Sequence, residues 1–200
     1  MYTKLIRTIC EHGCYSEAGR DAIAELVNGG ESALDAFLRA ERRGAPSMLH
    51  PRDLLDTVSD VYSGFARHNP DALIDRFESG KIDAFKVFWA LGAATGERSI
   101  DVLLVGLKSK EKWTRWAAAE SLIRRKCTRA VGPLIDRLND RSSLVKFVIV
   151  EAMRSNKKFR RPDALPALKR LIASTSIQKH SPGTFKMAKE VVRLIKNESL

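Results

Sequence analysis

The chain repeats itself at a fixed interval. "LIDRF" at 73–77 returns as "LIDRL" at 134–138, 61 residues on, and "PDAL" at 70–73 returns at 162–165, 92 residues on. These displacements are two and three times a unit of ~31 residues, the signature of a repeat architecture. A second set of positions keeps the same phase: Lys86 in "AFKVFWAL", Arg115 in "WTRWAAAESL" and Lys146 in "LVKFVIVEAM" follow one another at 29 and 31 residues. A unit of that length holds two helices, and one such hairpin cannot bury its apolar face alone. Stacked neighbours complete the core, so the repeat predicts an all-α chain, an α-solenoid of about six antiparallel hairpins.

Hydrophobic periodicity fills in the helices, because apolar residues recur at helical spacing nearly everywhere and no alternating run argues for a strand. Helices are predicted at 2–12, 16–28, 31–43, 52–67, 71–79, 82–94, 99–108, 112–126, 131–139, 142–155, 163–173 and 184–197, with a long loop from Thr175 to Gly183. Pro51, Pro70 and Pro162 stand where a first helical turn begins, a place that tolerates the missing N–H. The whole of 1–200 reads as one solenoid domain.

"TRWAAAESL" closely resembles the opening of the second helix in HEAT repeats, above all the short bacterial HEAT-like type of the bilin (PBS) lyases. It has the arginine, the alanine run, the acidic residue and the leucine of that pattern. "LNDRSSLVKFVIVEAM" at 138–153 is similar, with Asp140 in the turn inside the repeat. The likeness covers 70–160; residues 1–69 read as degenerate N-terminal repeats and 161–200 as a C-terminal capping hairpin. The resemblance implies second helices lining one face, and a ladder in which Lys86, Arg115 and Lys146 bond acids of the turns, Asp83, Glu111 and Asp140.

On a helical wheel Thr114, Ala117, Ala118, Ser121 and Leu122 share one face, which predicts a buried stripe with the alanines at close helix contacts. Arg115 lies beside that stripe, while Trp116, in line with Glu120 and Arg124, falls toward solvent or an inter-repeat edge, a candidate interface anchor or base-stacking platform; Trp89 and Trp113 read as mostly core. Lys86, Arg115, Trp116 and Lys146 therefore form one candidate partner-binding row.

The charge is strongly polarised. Residues 1–100 carry 12 Lys and Arg against 15 Asp and Glu, a net of −3, while 101–200 carry 23 against 9, a net of +14. Two turns concentrate the excess, "RRKCTR" at 124–129 and "RSNKKFRR" at 154–161. Cations at helix C-termini meet the macrodipole favourably, but that explains one or two per helix and leaves most of these basic residues over. Arg124, Arg125, Lys126, Arg129, Arg154, Lys157, Lys158, Arg160 and Arg161 are thus a second candidate partner-binding set, a basic ridge.

Other chemistry finds little footing. Three cysteines form no disulfide framework and fit a reducing compartment; "CEHGC" at 10–14 lacks the further ligand pair that a closed zinc site needs. No P-loop, nucleophile elbow, zincin helix or dinucleotide fingerprint occurs, so neither catalytic residues, metal nor cofactor is expected. The N-terminus has no signal-peptide core and no apolar run is long enough to span a bilayer, which points to a cytoplasmic protein; a monomer is expected, though no residue pattern fixes the oligomeric state. The expectation is a non-catalytic scaffold, an adaptor or an immunity-type inhibitor, that docks an acidic protein on its basic half. Nucleic-acid binding is the alternative, since basic side chains neutralise phosphates without a reading motif. An alkylpurine DNA glycosylase of the HEAT-like type stands behind both: "WAAAE" carries glutamate where that family has aspartate.

Overall fold

The computed structural model describes residues 1–45 and 51–198. These are predominantly helical, with no strand among them. The chain divides into two compact units, Met1–Val102 and Leu103–Leu200.

The first unit is built from α1 (Tyr2–His12), α2 (Glu17–Asn28), α3 (Gly30–Arg42), α4 (Pro51–His68), α5 (Pro70–Glu78) and α6 (Ala84–Ala90), the last prolonged by a 3-10 turn at Leu91–Ala93. The boundary between the units falls inside α7 (Glu97–Gly106). Hairpin partners pack as α1 on α2, α3 on α4 and α5 on α6, and the second helices α2, α4 and α6 stack in a row. Caps set the boundaries: Ser16 accepts from the Gly19 N–H (2.9 Å), Asn69 from Ala72 (3.1 Å) and Asp83 from Phe85 (2.9 Å), each relieving an unpaired amide of a first turn. Pro51 and Pro70 open α4 and α5 as expected.

First helices are tied across repeats by arginines. Arg76 of α5 donates to both carboxylate oxygens of Asp35 in α3 (3.2 Å each) and to Glu31 (2.9 Å). Arg98 gathers Asp71, Asp75 and Glu78 of α5 at 3.3, 2.6 and 3.0 Å.

The second unit contains α8 (Lys112–Arg124), α9 (Val131–Asp136), α10 (Ser143–Ser155), α11 (Leu165–Ala173), α12 (Thr175–His180) and α13 (Pro182–Glu198). Short 3-10 turns lead into α9 at Thr128–Ala130 and into α11 at Pro162–Ala164, and another follows α9 at Arg137–Asn139. The second helices again form a row, with α8 on α10 and α10 on α13. Ala117, Ala118, Ala119, Ser121 and Leu122 are wholly buried and Thr114 nearly so, which confirms the stripe predicted for this helix. One segment departs from expectation. Residues 175–180, expected within a loop, form α12, because Ser174 caps the Ile177 N–H (3.4 Å) and Ile177 buries its side chain.

No helix among the described residues is long and apolar enough to cross a membrane. Cys10, Cys14 and Cys127 are buried free thiols.

Candidate macromolecule-binding surface

Arg115 is placed by the first turn of α8. Its Nε and Nη2 donate to the two carboxylate oxygens of Asp140 (2.7 and 2.9 Å), and Nη1 donates to the carbonyls of Ser109 and Lys110 (2.9 and 2.8 Å). The side chains are 6% and 2% exposed. Burial alone pushes the Asp140 carboxyl up, yet the bonds from Arg115, the Ser142 N–H and the nearby positive charges outweigh it and hold the group below the ordinary carboxylate range. Arg115 is held above its usual value, chiefly by the bond to Asp140. The residue is thus a rung between successive repeats, and its guanidinium is not turned outward.

The other rungs differ from expectation. Lys86 donates to Glu41 (2.8 Å), which also accepts from the Tyr62 hydroxyl (2.6 Å). Asp83 instead caps α6. Helix starts explain the discrepancy: Ala84, Lys112 and Ser143 open α6, α8 and α10 at intervals of 28 and 31, so the residue equivalent to Arg115 in α6 is Val87, one place beyond Lys86. Lys146 does share the phase of Arg115; it is half-buried and forms no ion pair among the described residues.

The bond from Arg115 to Asp140 brings the N-terminal ends of α8 and α10 together. Both helices have 13 residues and pack on one another, an arrangement in which their C-terminal ends, each followed by a basic turn, point the same way. In these turns Arg124, Lys126, Arg129, Arg154, Lys157, Lys158 and Arg161 are exposed, while Arg125 and Arg160 are half-buried. Acids absent from the turns themselves reach in from elsewhere: Arg154 pairs with Glu151 (2.7 Å), Arg161 with Asp163 (2.7 Å) and Arg160 with Glu198 (2.9 Å). Arg160 also donates to the Arg154 carbonyl (3.1 Å), which makes it a clamp on the end of α10. Lys126, Lys157 and Lys158 have no ion-pair partner among the described residues.

Lys126 has a further property. The amide of Cys127 bonds back to Leu122 (3.1 Å) and that of Lys126 to Ile123 (2.9 Å), a Schellman closure with Lys126 at φ 51. In the same motif Gly44 closes α3 and Gly80 closes α5, at φ 86 and 71. A side chain at such a position costs roughly 1–2 kcal/mol.

The tryptophans are arranged differently from the sequence reading. Trp113, expected in the core, is 50% exposed, with the Lys112 ammonium 5.0 Å from its ring centre. Trp116 is half-buried and meets Trp113 edge-on at 6.2 Å. Trp89 is half-buried, donating to the Ser59 hydroxyl (3.0 Å) and stacking on Phe85. On α10 the equivalents of Trp113 and Trp116, 31 residues later, are Leu144, half-buried, and Phe147, 43% exposed. Sequence reasoning missed Trp113, Leu144 and Phe147 as surface residues. The repeat displacement that aligns Arg115 with Lys146 would have paired these too.

Residues 100–179 match the family model described as HEAT repeats, overlapping the 70–160 likeness over 100–160. No curated protein matches the chain.

Proposed function

Starting from a chain whose residues 100–179 belong to the HEAT-repeat family, we propose that this protein is a non-catalytic scaffold that docks an acidic protein partner on its second unit. HEAT repeats generally serve protein–protein scaffolding. The observation that carries the finer reading is that α8 and α10, each followed by a basic turn, pack on one another, which supports reading the two turns as one basic edge. Arg154, Arg160 and Arg161 meet their counter-charges within the protein, whereas Lys126, Lys157 and Lys158 are exposed with no ion-pair partner among the described residues. Lys126 supports the reading again, because it keeps an exposed charged side chain at a left-handed position that a glycine would occupy at lower cost.

The surface assigned to the partner is therefore narrower than the sequence suggested. It keeps Lys126, Lys157 and Lys158 with exposed Arg124 and Arg129 of the ridge, and Trp116 and Lys146 of the row, both half-buried. Arg115 and Arg160 are left to architecture, and Lys86 to the Glu41–Tyr62 network.

The test is fluorescence anisotropy of a labelled polyglutamate peptide beside labelled single- and double-stranded DNA and RNA, at several salt concentrations. Binding of the peptide that weakens with salt, and falls by about tenfold in the triple variant Lys126→Glu, Lys157→Glu, Lys158→Glu, is the expected result. Tighter binding of the nucleic acids, lost in the same variant, would replace this reading with the nucleic-acid one.

A further inference from the structure

The outward faces of α8 and α10 carry the same pattern in register. Trp113 and Leu144, Trp116 and Phe147, and Glu120 and Glu151 are pairs 31 residues apart, on helices that pack side by side. The N-terminal half of each face is apolar. The C-terminal half carries an acid followed within a turn by an arginine, Glu120 before Arg124 and Glu151 bonded to Arg154 (2.7 Å).

Adjacent second helices lie about 8–10 Å apart, so the four apolar side chains form a strip across two helices. Beyond Phe147 the strip runs into a shallow groove of about 330 Å³ where Ser143, Leu144 and Phe147 of α10 face Ser181, Gly183 and Thr184 at the start of α13. A water's share of liquid volume is about 30 Å³, so the groove admits a large apolar side chain.

The charges around the strip select its occupant. Lys110, Lys112 and Arg141 are exposed at the helix starts and Lys146 lies beside Phe147. Against them stand Glu111 and, one turn beyond Trp116 and Phe147, Glu120 and Glu151, the last bonded to Arg154, while Asp140 is spent on Arg115. A strip with aromatic anchors and a cationic border matches a segment whose large apolar residues are flanked by acids.

We propose that Trp113, Trp116, Leu144 and Phe147 seat the apolar core of an acidic peptide segment of the partner, with Lys112, Arg141 and Lys146 holding its flanks. This rests on the functional reading above and adds the anchoring site. Thirteen residues of helix at 1.5 Å per residue separate Trp113 from Lys126, about 20 Å. An extended segment of about six residues spans that distance, so one partner segment reaches both the strip and the basic edge.

The experiment compares two fluorescein-labelled peptides of equal charge on the full chain: a run of glutamates, and the same run interrupted at its centre by Leu-Leu-Phe. The interrupted peptide is expected to bind about tenfold tighter, to shift the tryptophan emission to the blue, and to lose that advantage in Trp113→Ala and Phe147→Ala. Trp113→Phe should retain most of it. Both substituted side chains are exposed, and circular dichroism checks that each variant is folded.

If both peptides bind equally to native chain and variants, the anchoring site is refuted while the acidic-partner reading survives. If neither binds, both fall. Deoxythymidine oligomers that bind in place of the peptides, and are released by Trp113→Ala, would make the strip a base-stacking platform and overturn the proposal. A dimer in sedimentation velocity that Phe147→Ala dissociates, with no peptide advantage, would assign the strip to a second copy of the chain and overturn it equally.

Discussion

Arg115 and Asp140 hold opposite full charges where almost no water reaches, and the Arg115 carbonyl contacts and the Ser142 amide supply the remaining bonds. Removing one member leaves the other buried without a counter-charge, which costs roughly 3–5 kcal/mol. Asp140→Asn should therefore lower the urea midpoint markedly. The pH dependence has a definite sign. The folded carboxyl is held below its unfolded value of about 3.9, so the stabilisation is complete above that pH and is lost as pH falls through the lower folded value. Between neutral pH and pH 5 the gap between native and Asp140→Asn should stay constant, then narrow in acid; a gap that widens there would refute the pairing. Lys126 makes the opposite trade. Lys126→Gly relieves a positive φ and should gain up to about 1 kcal/mol in urea unfolding, while weakening polyglutamate binding.

At the scale of the element, α8 shows why a helix with little amphipathic contrast still has one orientation. Its buried side consists of Thr114, Arg115, three alanines, Ser121 and Leu122, so small volume rather than strong hydrophobicity marks the packed face. Ala117, Ala118 and Ala119 have no exposure at all, and α10 packs against this helix. Ala118→Leu adds carbons where no space exists, and should lower stability by about 1–3 kcal/mol in thermal unfolding. A stabilised variant would mean that the alanines leave a void. Helix ends carry equal weight: α3 and α5 close through glycine and α8 through lysine in the same hydrogen-bonded motif. The contrast makes the end of α8 a place where a side chain was kept at the expense of backbone ease.

At the scale of the whole molecule, charge is divided as sharply as fold is repeated. Residues 1–102 hold 12 basic against 16 acidic side chains and residues 103–200 hold 23 against 8, net charges of −4 and +15. In the first unit arginines such as Arg76 and Arg98 are consumed by neighbouring acids. The second unit has too few acids to do the same. Its association with an acidic segment should therefore be steered electrostatically, with an on-rate that falls steeply as salt rises and the Debye length shrinks to about 8 Å at 0.15 M. Stopped-flow measurement of polyglutamate binding checks this. In the triple lysine variant the same rate should be slower at low salt and respond less to added salt. An on-rate indifferent to salt in the native chain would leave the basic edge without a role in capture.

Repetition, helix content and charge polarity were legible in the amino-acid order alone, because displacement and periodicity are properties of one dimension. The buried stripe of α8 followed from the same periodicity, and a bond from Arg115 to an acid of the turns from likeness to a known repeat, but the choice of Asp140 over Glu111 came only with the fold. Which charges remain available was not legible. Glu41 for Lys86, Glu198 for Arg160 and Asp163 for Arg161 are acids whose reach depends on how the chain folds back and how the turns close. Nor could the exposure of Trp113 be read, since a wheel assigns a residue to a face but not the neighbour that covers it. Sequence set the repeat and the sign of the surface; tertiary packing decided which side chains that surface spends internally and which it turns to solvent, because burial and pairs such as Lys86–Glu41 and Arg160–Glu198 are settled between elements distant along the chain.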